Sequence, residues 1–113
     1  MWNECKDLQE YIVGLRRDLH QIPELGLHLP ETAAYVTAEL DKIGIPYICS
    51  KKDSGIIATI KGGKPGKHTV LLRGDIDALP IKENSGVEFE SENEGVMHAC
   101  GHDCHTSMLL GAA

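Results

Sequence analysis

The residues most able to do chemistry lie close together. Positions 98 to 105 read His98-Ala99-Cys100-Gly101-His102-Asp103-Cys104-His105. The sequence has four Cys and six His, and five of those ten fall within this stretch. Thiolate and imidazole are borderline-soft donors that favour zinc and its neighbours. Gly101, between Cys100 and His102, is expected to let the backbone turn tightly so that both donors face one ion. Asp103 could hold a ligand histidine in its tautomer or bridge metals. A second group, Asp75-Ile76-Asp77, follows an apolar run. If that run is a strand, period-two alternation puts Asp75 and Asp77 on the same side. Two carboxylates there suit a metal ligand, an anchor for the metal site or a general base. Cys5 and Cys49 stand alone and read as small buried or half-buried residues. His20 and His28 flank a proline-containing loop and read as surface or internally satisfied histidines.

These groups need elements to position them. Leu8, Tyr11, Ile12, Leu15, Leu19 and Ile22 follow i, i+3, i+4, i+7 spacing, which predicts an amphipathic helix over about 4–22. Pro23 ends it. Pro30-Glu31-Thr32 suits a second helix start, and Gly44 suits its C′ position. Tyr47-Ile48-Cys49 and Gly55 to Ile60 read as strands. Lys61 to Lys67 is a turn-rich connector and reads as a hairpin loop. Thr69 to Leu72 is a continuous apolar run, expected as a central strand buried on both faces. Open α/β sheets place ligands at the carboxyl ends of such strands. The acidic stretch Lys82 to Gly95 reads as a surface loop, and Thr106 to Ala113 as the first turns of a buried helix, with the Cys/His cluster just before it. This order predicts an α/β fold. The apolar helix pattern reaches Ala113 without a terminating signal, so the expectation is the N-terminal part of a longer protein.

Composition narrows the function classes. The chain has 113 residues, 42% hydrophobic and 25% charged, with a formal charge of −6. These are globular proportions. The acidic balance argues against a non-specific nucleic-acid binder, and no apolar run approaches a membrane span. The polar N-terminus lacks a signal-peptide core, so the expected compartment is the cytosol. There, four cysteines do not form a disulfide framework.

Three stretches carry a resemblance: Arg17 to Leu25, Leu72 to Ile81, and Gly95 to Asp103 followed by His105 and Met108 to Ala113. Together they resemble the N-terminus of metal-dependent amidohydrolases of the aminoacylase/carboxypeptidase superfamily. The branch is that of hippurate hydrolase, N-acyl-L-amino-acid amidohydrolases, N-acetyldiaminopimelate deacetylase and auxin-conjugate hydrolases. The resemblance implies that residues 1–113 are the N-terminal portion of a mixed-sheet, zinc-peptidase-like catalytic domain with flanking helices. It implies a pair of divalent ions, Zn or Mn with Co or Ni as alternatives, bound in part by Cys100 and His102. Asp75 matches an acid that supports the metal centre. In the wider superfamily a ligand His precedes that acid by two positions; here Arg73 stands there and cannot ligate. Cys104 departs from the small residue usual at its position, and Gly74 replaces a common Ala.

The implied reaction is hydrolysis of the amide of an N-acyl amino acid or short peptide by water activated between two ions, with a glutamate taking the proton. In relatives that glutamate, two further His ligands and an inserted lid or dimerisation domain lie beyond the Cys-Gly-His motif. The expectations are therefore a homo-oligomeric parent enzyme, a 113-residue piece inactive and weakly metal-binding alone, and no nucleic-acid or membrane partner. One competing reading is a structural zinc module in which Cys100, His102, Cys104 and His105 hold one ion; another is a non-enzymatic fragment or truncated homologue that serves as a binding module. Crowding of four donors into six residues counts against the zinc module.

Overall fold

A computed structural model describes residues 2–113. The helix expected over 4–22 is two: α1 (Trp2–Asp7) and α2 (Gln9–Gln21). Leu8 separates them at φ −86°, ψ −7°, still in the right-handed helical region, and the Ile12 N–H still bonds its carbonyl at 2.9 Å. The apolar face therefore continues across the break, and Leu15 and Leu19 are buried. Pro23 stops the helix as expected.

Helix α3 (Pro30–Ile43) starts at its proline, and Gly44 takes the left-handed C-cap conformation at φ 75°. Its N-cap, Leu29, offers no side-chain acceptor. Glu24 supplies one from outside the helix. One carboxylate oxygen accepts both the N–H and the hydroxyl of Thr32 at 2.7 Å, and the other accepts the Glu31 N–H at 3.3 Å. A negative charge here satisfies orphan donors and opposes the helix dipole.

The sheet is one antiparallel pair, β1 (Tyr47–Cys49) with β2 (Ile56–Ala58), with Ile48 opposite Ile57. Its turn is closed by the Ser50 N–H on the Gly55 carbonyl at 2.8 Å. The hairpin connection is thus Ser50 to Gly55, not the 61–67 segment, which is exposed and irregular. Helix α4 (His102–Ala112) begins four residues earlier than the sequence pattern suggested, so the second half of the Cys/His cluster is its first turn.

Leu15, Leu19, Val36, Leu40 and Leu110 form the core, with Tyr35, Ile45, Tyr47 and Ile56 packed against it. Helix α2 lies chiefly on α4, and the two approach closely at Gly111, where an added Cβ would stand 2.6 Å from Ile12 Cγ1 and Cδ1. Gly111→Ala is expected to cost about 1 kcal/mol, the overpacking penalty outweighing the better helix propensity of alanine. Urea unfolding measures it. Restoration of stability by adding Ile12→Val would place the cost at this contact; an unchanged or raised stability in Gly111→Ala alone would refute it.

Two further expectations fail. Val70, Leu71 and Leu72 are 81%, 85% and 65% exposed and form no strand. A two-sided strand needs hydrogen-bonding neighbours and two covering layers, and the described residues supply neither around this run. The 82–95 stretch is irregular, but it is not simply a surface loop. It is closed by an antiparallel bridge between Leu79 and Met97, and the Glu83 side chain inside it is only 4% exposed.

Candidate metal centre

The chain after Gly74 runs past the first turn of α4. The Ala78 N–H bonds the Glu24 carbonyl at 2.8 Å, and the Thr106 hydroxyl donates to the Asp75 carbonyl at 2.8 Å. Gly74 makes the approach possible, since an added Cβ would lie 3.2 Å from Leu109 and 3.3 Å from the His105 carbonyl. The alanine usual at that place in the resemblance would be tight here.

With this packing, Asp75 and Asp77 both approach His102, although no strand forms there. His102 Nδ1 stands 2.9 Å from the Asp77 carbonyl oxygen and 3.0 Å from its Oδ1. Both partners are acceptors, so Nδ1 carries the hydrogen, and in the neutral ring Nε2 presents a lone pair. That Nε2 lies 3.9 Å from Asp75 Oδ2, and His105 Nδ1 lies 3.7 Å from the same oxygen. The other Asp75 oxygen accepts from Arg73 at 2.5 Å. Helical spacing i, i+3 puts the two imidazoles on one face, with centroids 5.6 Å apart.

Asp75, His102 and His105 each offer one donor atom within 4.8 Å of the others, the one such trio found among the described residues. Donors about 2.1 Å from a tetrahedral ion lie roughly 3.4 Å apart, so a slight contraction would seat an ion. The donor set fits zinc or its first-row neighbours.

Not every residue read from the sequence joins the trio. Cys100 is exposed and its sulfur is outside the trio, and Cys104 is half-buried and also outside it. Gly101 has φ −85°, so no left-handed turn brings Cys100 and His102 together. Among the described residues Asp103 is bonded to neither His102 nor His105; Asp77 holds His102 Nδ1. Asp103, in the first turn of α4, is buried, with Oδ2 at 2.7 Å from His20 Nδ1 and 3.0 Å from Arg16 Nε. His20 is the internally satisfied histidine expected, but its other nitrogen reaches Glu83 Oε1 at 2.9 Å. His28 is exposed. His98 is 4% exposed and neither ring nitrogen has a hydrogen-bond partner among the described residues. Burial holds His98 below the usual histidine pKa.

Sequence reasoning missed Glu83, and it did not foresee that Asp77 would bond His102 or that His105 would join Asp75 and His102. The i, i+3 spacing of His102 and His105 could have flagged the last once the helix start was known. Burial alone would push Glu83 up, but the His20 bond, the Ser91 N–H and the Ser85 hydroxyl outweigh it and hold Glu83 at about 2, from a usual 4.5. A depressed carboxyl stabilises the fold above its unfolded value and loses that contribution as pH falls through the folded one. Stability is therefore expected to drop between about pH 4.5 and pH 2, read by circular dichroism. In Glu83→Gln that drop should shrink; an identical acid profile in the variant would contradict the assignment.

The geometry brings together three donors that could hold a divalent ion. Residues 71–113 match the model of peptidase family M20/M25/M40, the family to which the motifs point. The chain is 46% identical over 112 residues to thermostable carboxypeptidase 2 of Saccharolobus solfataricus, covering 98% of this chain and 28% of that protein. A crystal structure from methicillin-resistant Staphylococcus aureus superimposes with a TM-score of 0.88 at 44% identity, covering 96% of this chain and 28% of that one. The Bacillus subtilis YXEP protein, described as a dinuclear metal-binding peptidase of family M20, superimposes with a TM-score of 0.84 at 39% identity, covering 93% and 30%. The chain thus resembles part of those larger structures, and its helices with a small antiparallel sheet fit part of an α/β domain. The chain spans about a quarter of the length of the curated relatives it matches. Among the described residues, no helix is long and apolar enough to cross a membrane.

Proposed function

We propose that residues 1–113 are the N-terminal portion of the catalytic domain of a metal-dependent amidohydrolase that cleaves the amide bond of N-acyl amino acids or short peptides. The observation that carries this reading is the convergence of Asp75, His102 and His105, with the His102 ring held so that Nε2 faces the other two donors. Cys100, two residues before His102 and exposed, is a further donor in this reading. The metals are two divalent ions, zinc or manganese, with cobalt or nickel as alternatives. Bound there, they would polarise the scissile carbonyl and lower the pKa of a water.

The chain's own residues prepare the site. Asp77 keeps the hydrogen of His102 on Nδ1. Arg73 occupies one Asp75 oxygen and leaves the other toward the imidazoles. A shallow groove lined by Leu72, Met108, Leu109 and Ala112 opens beside Asp75 and His105, an apolar wall compatible with an acyl group. No glutamate joins the donor trio among the described residues, so in this reading the 113-residue chain alone binds metal weakly and does not turn over. The whole protein is read as a homo-oligomer, supported by the family resemblance.

Equilibrium dialysis of the chain against Zn²⁺ or Mn²⁺ tests the first part. Retention of metal is the expected result, and no retention overturns the metal-centre reading. Incubation of the metal-loaded chain with an N-benzoyl amino acid tests the second; hydrolysis by these 113 residues would overturn the assigned division of labour.

A further inference from the structure

We propose that Glu83 is a positioning residue for the metal centre: through the line Glu83–His20–Asp103 it sets where the first turn of α4 stands, and so where His102 and His105 present their nitrogens. The proposal rests on the metal-centre reading above. The line crosses three elements. Glu83 belongs to the irregular segment closed by the Leu79–Met97 bridge. Its Oε1 meets His20 Nε2 at 2.9 Å and accepts the Ser85 hydroxyl at 2.7 Å, and its Oε2 accepts the Ser91 N–H at 2.7 Å. His20 sits in the last turn of α2, and its Nδ1 is 2.7 Å from Asp103 Oδ2. The side chains of Glu83, His20 and Asp103 are 4%, 2% and 1% exposed.

Stability alone gives little reason for this arrangement. Ionisable groups taken out of water cost several kcal/mol each unless paired, and apolar residues of equal volume often hold a fold as well. What the line supplies is direction. Charge-assisted hydrogen bonds are short and geometrically specific, whereas apolar burial is non-directional. Asp103 directly follows His102 and precedes His105 by two residues, so its place fixes theirs. The opposite side of the same turn is tied to the Asp75 segment by Thr106 and by the His102–Asp77 bonds. The two imidazoles are therefore clamped between α2 and the Asp75 segment. Glu83 closes the α2 side, because it fixes the ring on which Asp103 depends.

Glu83→Gln keeps the size of the side chain and removes its charge. In the 113-residue chain, Co²⁺ affinity, read from visible absorption, is expected to fall about tenfold while far-UV dichroism is retained. Ring ¹H–¹⁵N spectra should show His102 leaving its single Nδ1–H tautomer, which a merely structural role would not cause in a folded variant. Unchanged affinity with unchanged His102 signals overturns the proposal and leaves the metal centre standing. Should the unsubstituted chain take up no Co²⁺, the metal reading fails, and the ring spectra decide alone: altered His102 signals in Glu83→Gln uphold the positioning, unaltered ones end it. If Glu83→Gln does not fold, Ser85→Ala removes one hydrogen bond to Glu83 and is read in the same way, with a smaller loss expected.

Discussion

His20→Ala is expected to destabilise the chain by about 3–5 kcal/mol, the cost of removing one partner from a buried charged set. The imidazole is the common partner of two carboxylates, each almost wholly out of water. Without it, Glu83 keeps only the Ser91 N–H and the Ser85 hydroxyl, and Asp103 keeps Arg16 and the Cys104 N–H. The vacated ring also leaves space beside Phe89, which meets it edge-on at 5.7 Å. A loss of this size is a large share of the roughly 5–15 kcal/mol that holds a domain together. Thermal unfolding followed by dichroism should show the midpoint falling by more than about 10 °C. The electrostatic account makes a second demand. Neutralising both carboxylates in the same background, with Glu83→Gln and Asp103→Asn, should recover part of the loss. If the triple variant is no more stable than His20→Ala, the cost is a packing cost and the buried charges are not its source.

How much of this was legible in the sequence depends on where each interaction closes. Helix α3 was readable because its signals are local: Pro30 at the start, Gly44 at φ 75° at the end, and apolar residues at helical spacing between them. Asp75 and Asp77 meet one partner without the strand on which the alternation argument relied. Thr69 to Leu72 was misplaced because burial of a strand is not a local property; the run is apolar, but its covering layers must come from elsewhere. The start of α4 was set too late because the sequence showed donors where the structure also needed a first turn, and Asp103 is buried there rather than ligating. Glu83 was invisible for a related reason. It lies 63 residues from His20, in an acidic stretch whose other glutamates are mostly exposed, and nothing local marks it as the one that turns inward. Long-range polar pairs of this kind escape pattern reading, while local periodicity does not.

His102→Ala is expected to abolish measurable metal uptake, a loss of at least about a hundredfold in affinity, since a ligand matters more than the partners that orient it. The reasoning is stereochemical. Asp75 Oδ2 is the hub of the trio, but Arg73 already neutralises the other oxygen of the same carboxylate, and that weakens it as a donor. His105 is the more exposed of the two imidazoles and lacks the bonds that fix His102. His102 is the donor prepared in advance, its Nδ1 hydrogen shared between two oxygens of Asp77 and its Nε2 aimed at the other two groups. Asp77→Ala should therefore act in the same direction but less, about tenfold, because the Asp77 carbonyl remains as a partner. Cys104→Ser should leave affinity unchanged, since that sulfur stands outside the trio. This order separates the catalytic-type centre from a four-donor structural zinc site. In the latter, Cys104→Ser would cost as much as His102→Ala and Asp77→Ala would cost nothing. Calorimetric titration of Zn²⁺ into the chain and the three variants reads the order directly, and a Cys104→Ser loss equal to that of His102→Ala would transfer the site from Asp75 to the thiols.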